Sequence, residues 1–278
     1  MGQGANTRGG AFPQAPTQEE WERMGPEEQA QVVTALPGEV TYEEMAMPEG
    51  DRHSRAKLRV RDALEGYFRH QRRKVYVGME LPVYYPAARR FAPDLLVVLE
   101  AENHERDKWM VSYEGKGLDW VMEVHVGGDR KKDAEFNVER YAQLGIPEYF
   151  IYDRSREELL VYRLPTPEAR RYERQKPRQG RYESRVLGLE FEVVDDTLRL
   201  WAGNAMLLES AEMLERVRES LETVQRRVEQ EARQREALER QLAEEARLRA
   251  EEARLRAEAE RRLAELQSRM ERLHPPEK

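Results

Sequence analysis

The chain has 278 residues, 36% of them charged, with 54 acidic against 47 basic side chains, a net charge of −7 and no cysteine. That length allows one full-sized domain and a further segment, and a mean hydropathy of −0.90 is too polar for a single compact globule, so part of the chain must be solvated on all sides. Lack of cysteine excludes disulfides and thiolate zinc sites and fits a reducing cytoplasm, the expected location. The acidic balance argues against a globally basic nucleic-acid binder but leaves room for a local basic patch. No apolar run approaches the ~20 residues that cross a bilayer, and "MGQGANTRGGAFPQAPTQ" lacks the apolar centre of a secretion signal.

Residues 1–16 show no periodicity and read as disordered. Thr17 and Glu20 form a capping-box pattern ahead of a short helix, and Pro26 opens a second that "PG" at 37–38 ends, giving a helical segment over 17–39. Next comes an amphipathic helix with Leu58, Ala63, Leu64, Tyr67 and Phe68 at near-helical spacing. "KVYVGMELPVYY", "RFAPDLLVVLE" and "GLDWVMEVHVG" read as three strands. A helix from about Asp133 to Leu144 is expected, with Asp133 as N-cap and Gly145 as the stop. "EYFIYD" and "ELLVYRL", joined by "RSRE", look like a hairpin, and "VLGLEFEVVDDTLRLW" like another pair of strands. The expectation is a mixed α/β domain over residues 40–203.

From about Met206 the pattern changes. Leu207, Leu214, Leu221 and Val228 recur every seven residues, with Val217 and Val224 three positions after two of them, an a/d seam. "EEARLRA" at 244–250 repeats at 251–257, where the seam thins to alanine. Residues 206–273 are therefore expected to form one long charged helix, its first half a self-associating coiled coil.

In "WVMEVHV", Trp120, Met122, Val124 and Val126 share one face of a strand while Val121, Glu123 and His125 share the other. A sheet with one wet face accounts for Glu123; so does a site that uses it. Asp94 follows a proline 29 residues earlier, in the preceding strand, so both carboxylates can converge on a hard dication such as Mg²⁺ or Mn²⁺. Pro-Asp is equally a common turn pair. His125 reads as a packing residue or as a group that holds the attacking water or the phosphate. Glu80 reads as a solvent-facing strand residue or as a cleft residue, and His53 as a cap-region side chain or a site residue.

"PEGDRH", "PDLLVV", "WVMEVHVGGDRKKD" and "YAQLGIPEYFIYD" resemble the Uma-type restriction endonuclease family of the PD-(D/E)xK nuclease superfamily over roughly residues 40–203. The resemblance implies a restriction-endonuclease-like mixed sheet flanked by helices, with Asp94 and Glu123 as metal ligands and the Val124 carbonyl as an accessory ligand. It also puts His125 at the third catalytic position, usually a lysine, and Asn137 where the following helix often offers one; Lys132 of "RKK" is another source of that charge. For phosphate binding, the basic stretches are "RHQRRK", with Arg72 and Arg73, and residues 168–185, with Arg171, Arg174, Lys176 and Arg178, the latter holding seven Arg or Lys against three Glu. An ordinary charged hairpin explains the second stretch as well. The expected function is Mg²⁺-dependent hydrolysis of DNA phosphodiesters, the alternative an inactive nuclease fold that assembles through its coiled coil.

Overall fold

The computed structural model describes residues 13–39, 50–126 and 131–273, with the side chains of 131–134 and 271–273 outside that description. The chain divides into two units, residues 1–212 and residues 213–278. The first is mixed α/β. Its centre is a six-stranded sheet in the order β1 (Val75–Met79), β3 (Leu95–Leu99), β5 (Trp120–His125), β6 (Glu148–Asp153), β7 (Glu158–Arg163) and β8 (Glu173–Arg174). β5 and β6 are parallel, joined through α5 (Lys131–Gln143), and the remaining neighbours are antiparallel. A parallel pair needs such a crossover.

The continuous apolar run of β3 is buried on both faces, as a central strand requires. Leu95 and Val97 pack into one apolar cluster with Trp120, Met122, Val124 and Phe191, while Leu96 and Val98 pack into a second with Val121, Tyr141 and Tyr149. The first cluster is closed by α3 (Gly50–His70) and by a four-stranded sheet of β9 (Tyr182–Ser184), β10 (Leu189–Val194), β11 (Thr197–Ala202) and β12 (Ala205–Met206). The β10–β11 hairpin turns through Asp195 and Asp196, both at positive φ (47° and 54°), as a two-residue hairpin demands. A smaller cluster joins Ala15 and Trp21 of the N-terminal region to Tyr84 of β2 (Val83–Tyr84) and Met110 of β4 (Trp109–Met110). It is flanked by α1 (Gln18–Arg23) and α2 (Pro26–Ala35), where Thr17 caps α1 through a full capping box.

Several local expectations are corrected. Residues 13–16 are ordered, with Ala15 5% exposed and bridged to Pro86, because they complete that smaller cluster; residues 1–12 lie outside the described residues. The run "KVYVGMELPVYY" breaks into β1 and β2 at Glu80, whose φ is +52°. α5 starts at Lys131, so Asp133 is its third residue rather than its cap, and Gly145 at φ +75° does end it. On α3 the buried stripe is Ala56, Val60, Ala63, Leu64 and Phe68, whereas Leu58 is 51% exposed. Lys57 takes the place on that stripe which Leu58 was expected to fill.

The second unit is helical. α6 (Ser210–Leu273) spans 64 residues, about 96 Å at 1.5 Å per residue. Every described side chain from Met213 to Met270 is exposed, including Leu214, Val217, Leu221, Val224 and Val228. Leu207, the expected first seam residue, lies before α6: its N–H donates to the Leu200 carbonyl at 2.8 Å and its side chain packs on the first cluster.

Glu148 is fully buried and ties the two sheets together. It accepts from Arg163 Nε at 2.7 Å, from the Arg185 N–H at 2.9 Å and from the Ser184 hydroxyl. Glu148→Ala leaves the largely buried Arg163 guanidinium with only the neutral Gln175 and Glu183 oxygens as partners and should lower stability by about 3–5 kcal/mol. All four tryptophans belong to the first unit, so a denaturant midpoint read by tryptophan fluorescence reports that unit alone. A shift worth less than about 1 kcal/mol would show that the network adds nothing over an apolar contact.

Candidate active site

β1 ends, β3 begins and β5 ends at the same edge of the central sheet. The registers Met79↔Leu95 and Leu95↔Met122 place Asp94, one residue before β3, beside Glu123, one residue after Met122. The Asp94 N–H lies 3.4 Å from Glu123 Oε2, and Asp94 Oδ2 accepts the Val124 N–H at 2.7 Å. Glu123 Oε1 accepts the Tyr141 hydroxyl of α5 at 3.0 Å. α3 supplies two further groups from its buried stripe. His53 Nε2 is 2.9 Å from Asp94 Oδ1, and Lys57 Nζ is 3.3 Å from the same oxygen while also pairing with the Glu80 carboxylate.

Glu80 itself is held by the backbone. Its N–H donates to the Pro93 and Asp94 carbonyls at 3.1 and 3.3 Å, which fixes the left-handed φ of +52°. For a residue with a Cβ that conformation costs about 1–2 kcal/mol, and it persists where surrounding contacts over-determine it. His53, Glu80 and Asp94 each offer one ligand atom within 4.8 Å of the others.

The charges follow from the burial. Burial works to raise the Asp94 carboxyl, yet the hydrogen bond and charge of His53, the Val124 amide and Lys57 together hold it below the usual carboxylate range. Glu123 is half-buried, and burial followed by the neighbouring Asp94 charge pushes its carboxyl well above that range. The Tyr141 hydroxyl is pushed up by burial and by Glu123. One carboxyl is thus held ionised beside another that retains its proton more readily, which separates their chemistry.

The remaining expected residues divide by position. His125, half-exposed on the Glu123 face, closes β5, and its carbonyl accepts the Arg154 N–H at 2.8 Å. Of Val124 it is the amide that meets the carboxylates, donating to Asp94 Oδ2. Asn137 sits half-buried on α5, one turn before Tyr141, and the Lys132 side chain lies outside the described residues. Arg72 and Arg73 precede β1, at the far end of the sheet from Asp94, where Arg73 lies over the Phe68 ring. Arg171, Arg174, Lys176 and Arg178 are exposed around β8, the outer strand three positions from β5, and Arg174 pairs with Glu158 at 3.0 Å. None of these six is brought to the carboxylates.

Sequence reasoning assigned no role to Lys57 or Tyr141. The signal for Lys57 was its spacing, four residues after His53 on the apolar stripe, where a lysine is expensive unless paired. Closer to the site than the expected basic stretches stand Arg52 and Arg154, both gripping Asp196 at 2.7 Å.

The raised carboxyl of Glu123 sets a pH dependence in the metal-free protein. The folded state holds the proton to higher pH than the unfolded chain, so this group's contribution is present below its ordinary pKa and is lost as pH rises through the raised one. Glu123→Gln should flatten that decline and leave the metal-free protein more stable than the native chain at pH 8, by about 1 kcal/mol or more, the worth of one pKa unit. Melting curves in chelator from pH 5 to 8 read the difference, and a native chain whose melting point stays level across that range contradicts it.

Among proteins of known structure, a crystal structure described as "a putative nuclease belonging to DUF820" from Anabaena variabilis ATCC 29413 is similar at 16% identity and a TM-score of 0.40, over 51% of this chain and 76% of that one. No curated protein matches. The family model described as "Putative restriction endonuclease" matches residues 18–198. That span is well over half of the chain and includes every residue of the carboxylate site, and the protein belongs to this family, Uma2.

Proposed function

We propose that the protein is a divalent-metal-dependent endonuclease that hydrolyses DNA phosphodiesters at the Asp94–Glu123 edge of the sheet. The observation that carries this reading is the convergence of two carboxylates of opposed protonation tendency, one on a strand start and one on the adjacent strand end. The donor set suits a dication, since carboxylates and an imidazole converge around a buried ammonium, Lys57, that already stands in for positive charge. Such an ion supplies Lewis acidity toward the phosphodiester. Asp94 is kept ionised and fixed in direction by the Val124 amide and His53. Glu123, oriented by Tyr141, can take a proton from an attacking water, and His125, on the same face, can hold that water or the phosphate. Arg52, next to His53 and with its side chain 56% exposed, gives the surrounding surface a cation that can meet a DNA phosphate.

The exposed seam from Leu214 to Val228 supports self-association of α6, because a helix leaving such a stripe in water gains by burying it against a second copy. Removing residues 213–278 should lower the oligomeric order and leave a soluble first unit. An unchanged number of protomers by light scattering would exclude a dimer held by the tail.

Plasmid cleavage with Mg²⁺ or Mn²⁺ tests the activity. Asp94→Asn and Glu123→Ala should abolish cutting, and His125→Ala should slow it by roughly 10²-fold, the scale of a lost acid–base group. A folded native protein that cuts neither DNA nor RNA with either metal would favour the non-catalytic reading, in which the fold serves assembly through α6.

A further inference from the structure

Resting on the proposed function for the site as a whole, we infer that its cation is held on the α3 side of Asp94, by His53, Glu80 and Asp94, and that this site takes a first-row transition dication in preference to Mg²⁺. The orientation of the Asp94 carboxylate carries the argument. Its Oδ2 is committed to the Val124 amide at 2.7 Å, and its Oδ1 turns away toward α3, to His53 Nε2 at 2.9 Å and Lys57 Nζ at 3.3 Å. Glu123 has Oε1 occupied by Tyr141, and Oε2 faces the Asp94 amide. Asp94 Oδ1 therefore faces the His53–Glu80 side, where it already meets a positive group and where three ligand atoms lie within 4.8 Å of one another. Two ligands at right angles, each ~2.1 Å from an ion, stand ~3 Å apart, and the Nε2–Oδ1 separation of 2.9 Å is already of that size.

Two buried groups separate this cluster from an ordinary patch of surface acids. The His53 side chain is 8% exposed, and the Lys57 side chain, 5% exposed, drives its ammonium between Asp94 and Glu80, the place a cation would take. A lysine on the apolar stripe of a helix needs compensating charge, so the site is built to hold one positive group. Lys57 holds that position until an ion displaces it. The nitrogen donor sets the class of ion. Mg²⁺ favours oxygen ligands and retains its waters, while imidazole favours first-row transition metals.

The probes are Co²⁺ and Mg²⁺, added to the full chain without nucleic acid and followed by titration calorimetry and by the visible absorption bands of bound Co²⁺. Native protein should bind Co²⁺ at least 10-fold more tightly than Mg²⁺. His53→Ala should weaken Co²⁺ at least 10-fold with little change for Mg²⁺, and His53→Gln, which keeps the side chain's bulk and offers oxygen, should shift the Co²⁺ bands and remove the preference. Lys57→Met, of similar length without the charge, should bind Co²⁺ several-fold more tightly, because no ammonium competes. Equal affinity for the two metals, Co²⁺ binding untouched in both His53 variants, or weaker binding in Lys57→Met would each overturn the inference. So would a site lost with Glu123→Gln and kept with His53→Gln, which would place the ion between the two strand carboxylates. Cleavage is not read in this experiment, so a protein that binds Co²⁺ in this way and cuts no nucleic acid separates the metal site from the proposed activity.

Discussion

The antiparallel register of β3 against β5 determines the rest of the site. With Leu95 opposite Met122, Asp94 can only fall beside Glu123, and its carboxylate reaches the Val124 amide one residue further along. A slip of one residue would turn every side chain of β3 to the opposite face, moving Leu95 and Val97 out of one cluster and Leu96 and Val98 out of the other. Because both faces of β3 are packed, the apolar core enforces the register and the register enforces the carboxylate pair. α3 adds His53 and Lys57 only because its own apolar stripe docks on the same face of the sheet.

That arrangement is unfavourable in isolation. Two neighbouring carboxyl groups, a lysine with 4% of its surface exposed and a left-handed Glu80 each work against folding. The offset lies elsewhere: in fully buried aromatic side chains such as Trp120, Phe150 and Phe191, which contact one another with ring centroids 4.9–5.8 Å apart, and in the Glu148 network. Strain gathered at one edge of a sheet and compensated in its interior is the usual condition of a working site.

What the sequence made legible was whatever depends on short-range pattern. The valine and leucine runs mark the strands, the Pro-Asp and Trp-Val-Met-Glu segments mark two carboxylates at strand ends, and the period of seven marks a helix with an unburied seam. What it left hidden depends on contacts between distant segments. Lys57 and Glu80 are 23 residues apart and Lys57 and Asp94 are 37 apart, so no local window relates them. The apolar count on α3 favoured Leu58, since a charged side chain on a buried stripe is invisible to a hydrophobic pattern. Leu207 keeps the spacing of the seam but is drawn into the core by its backbone bond to Leu200. The basic stretches lie away from the carboxylates, because charge density along the chain says nothing of which end of a sheet it occupies.

The division at residue 212 also gives an order of events at the ribosome. β12 and Leu207 are the last parts of the first domain's sheet and core, so that domain can close once residue 207 or so has cleared the exit tunnel, while α6 is still being made. At 5–20 residues per second, the 64 residues of α6 take about 3–13 s to synthesise. Any assembly through that helix therefore begins only after every strand of the first domain has been synthesised.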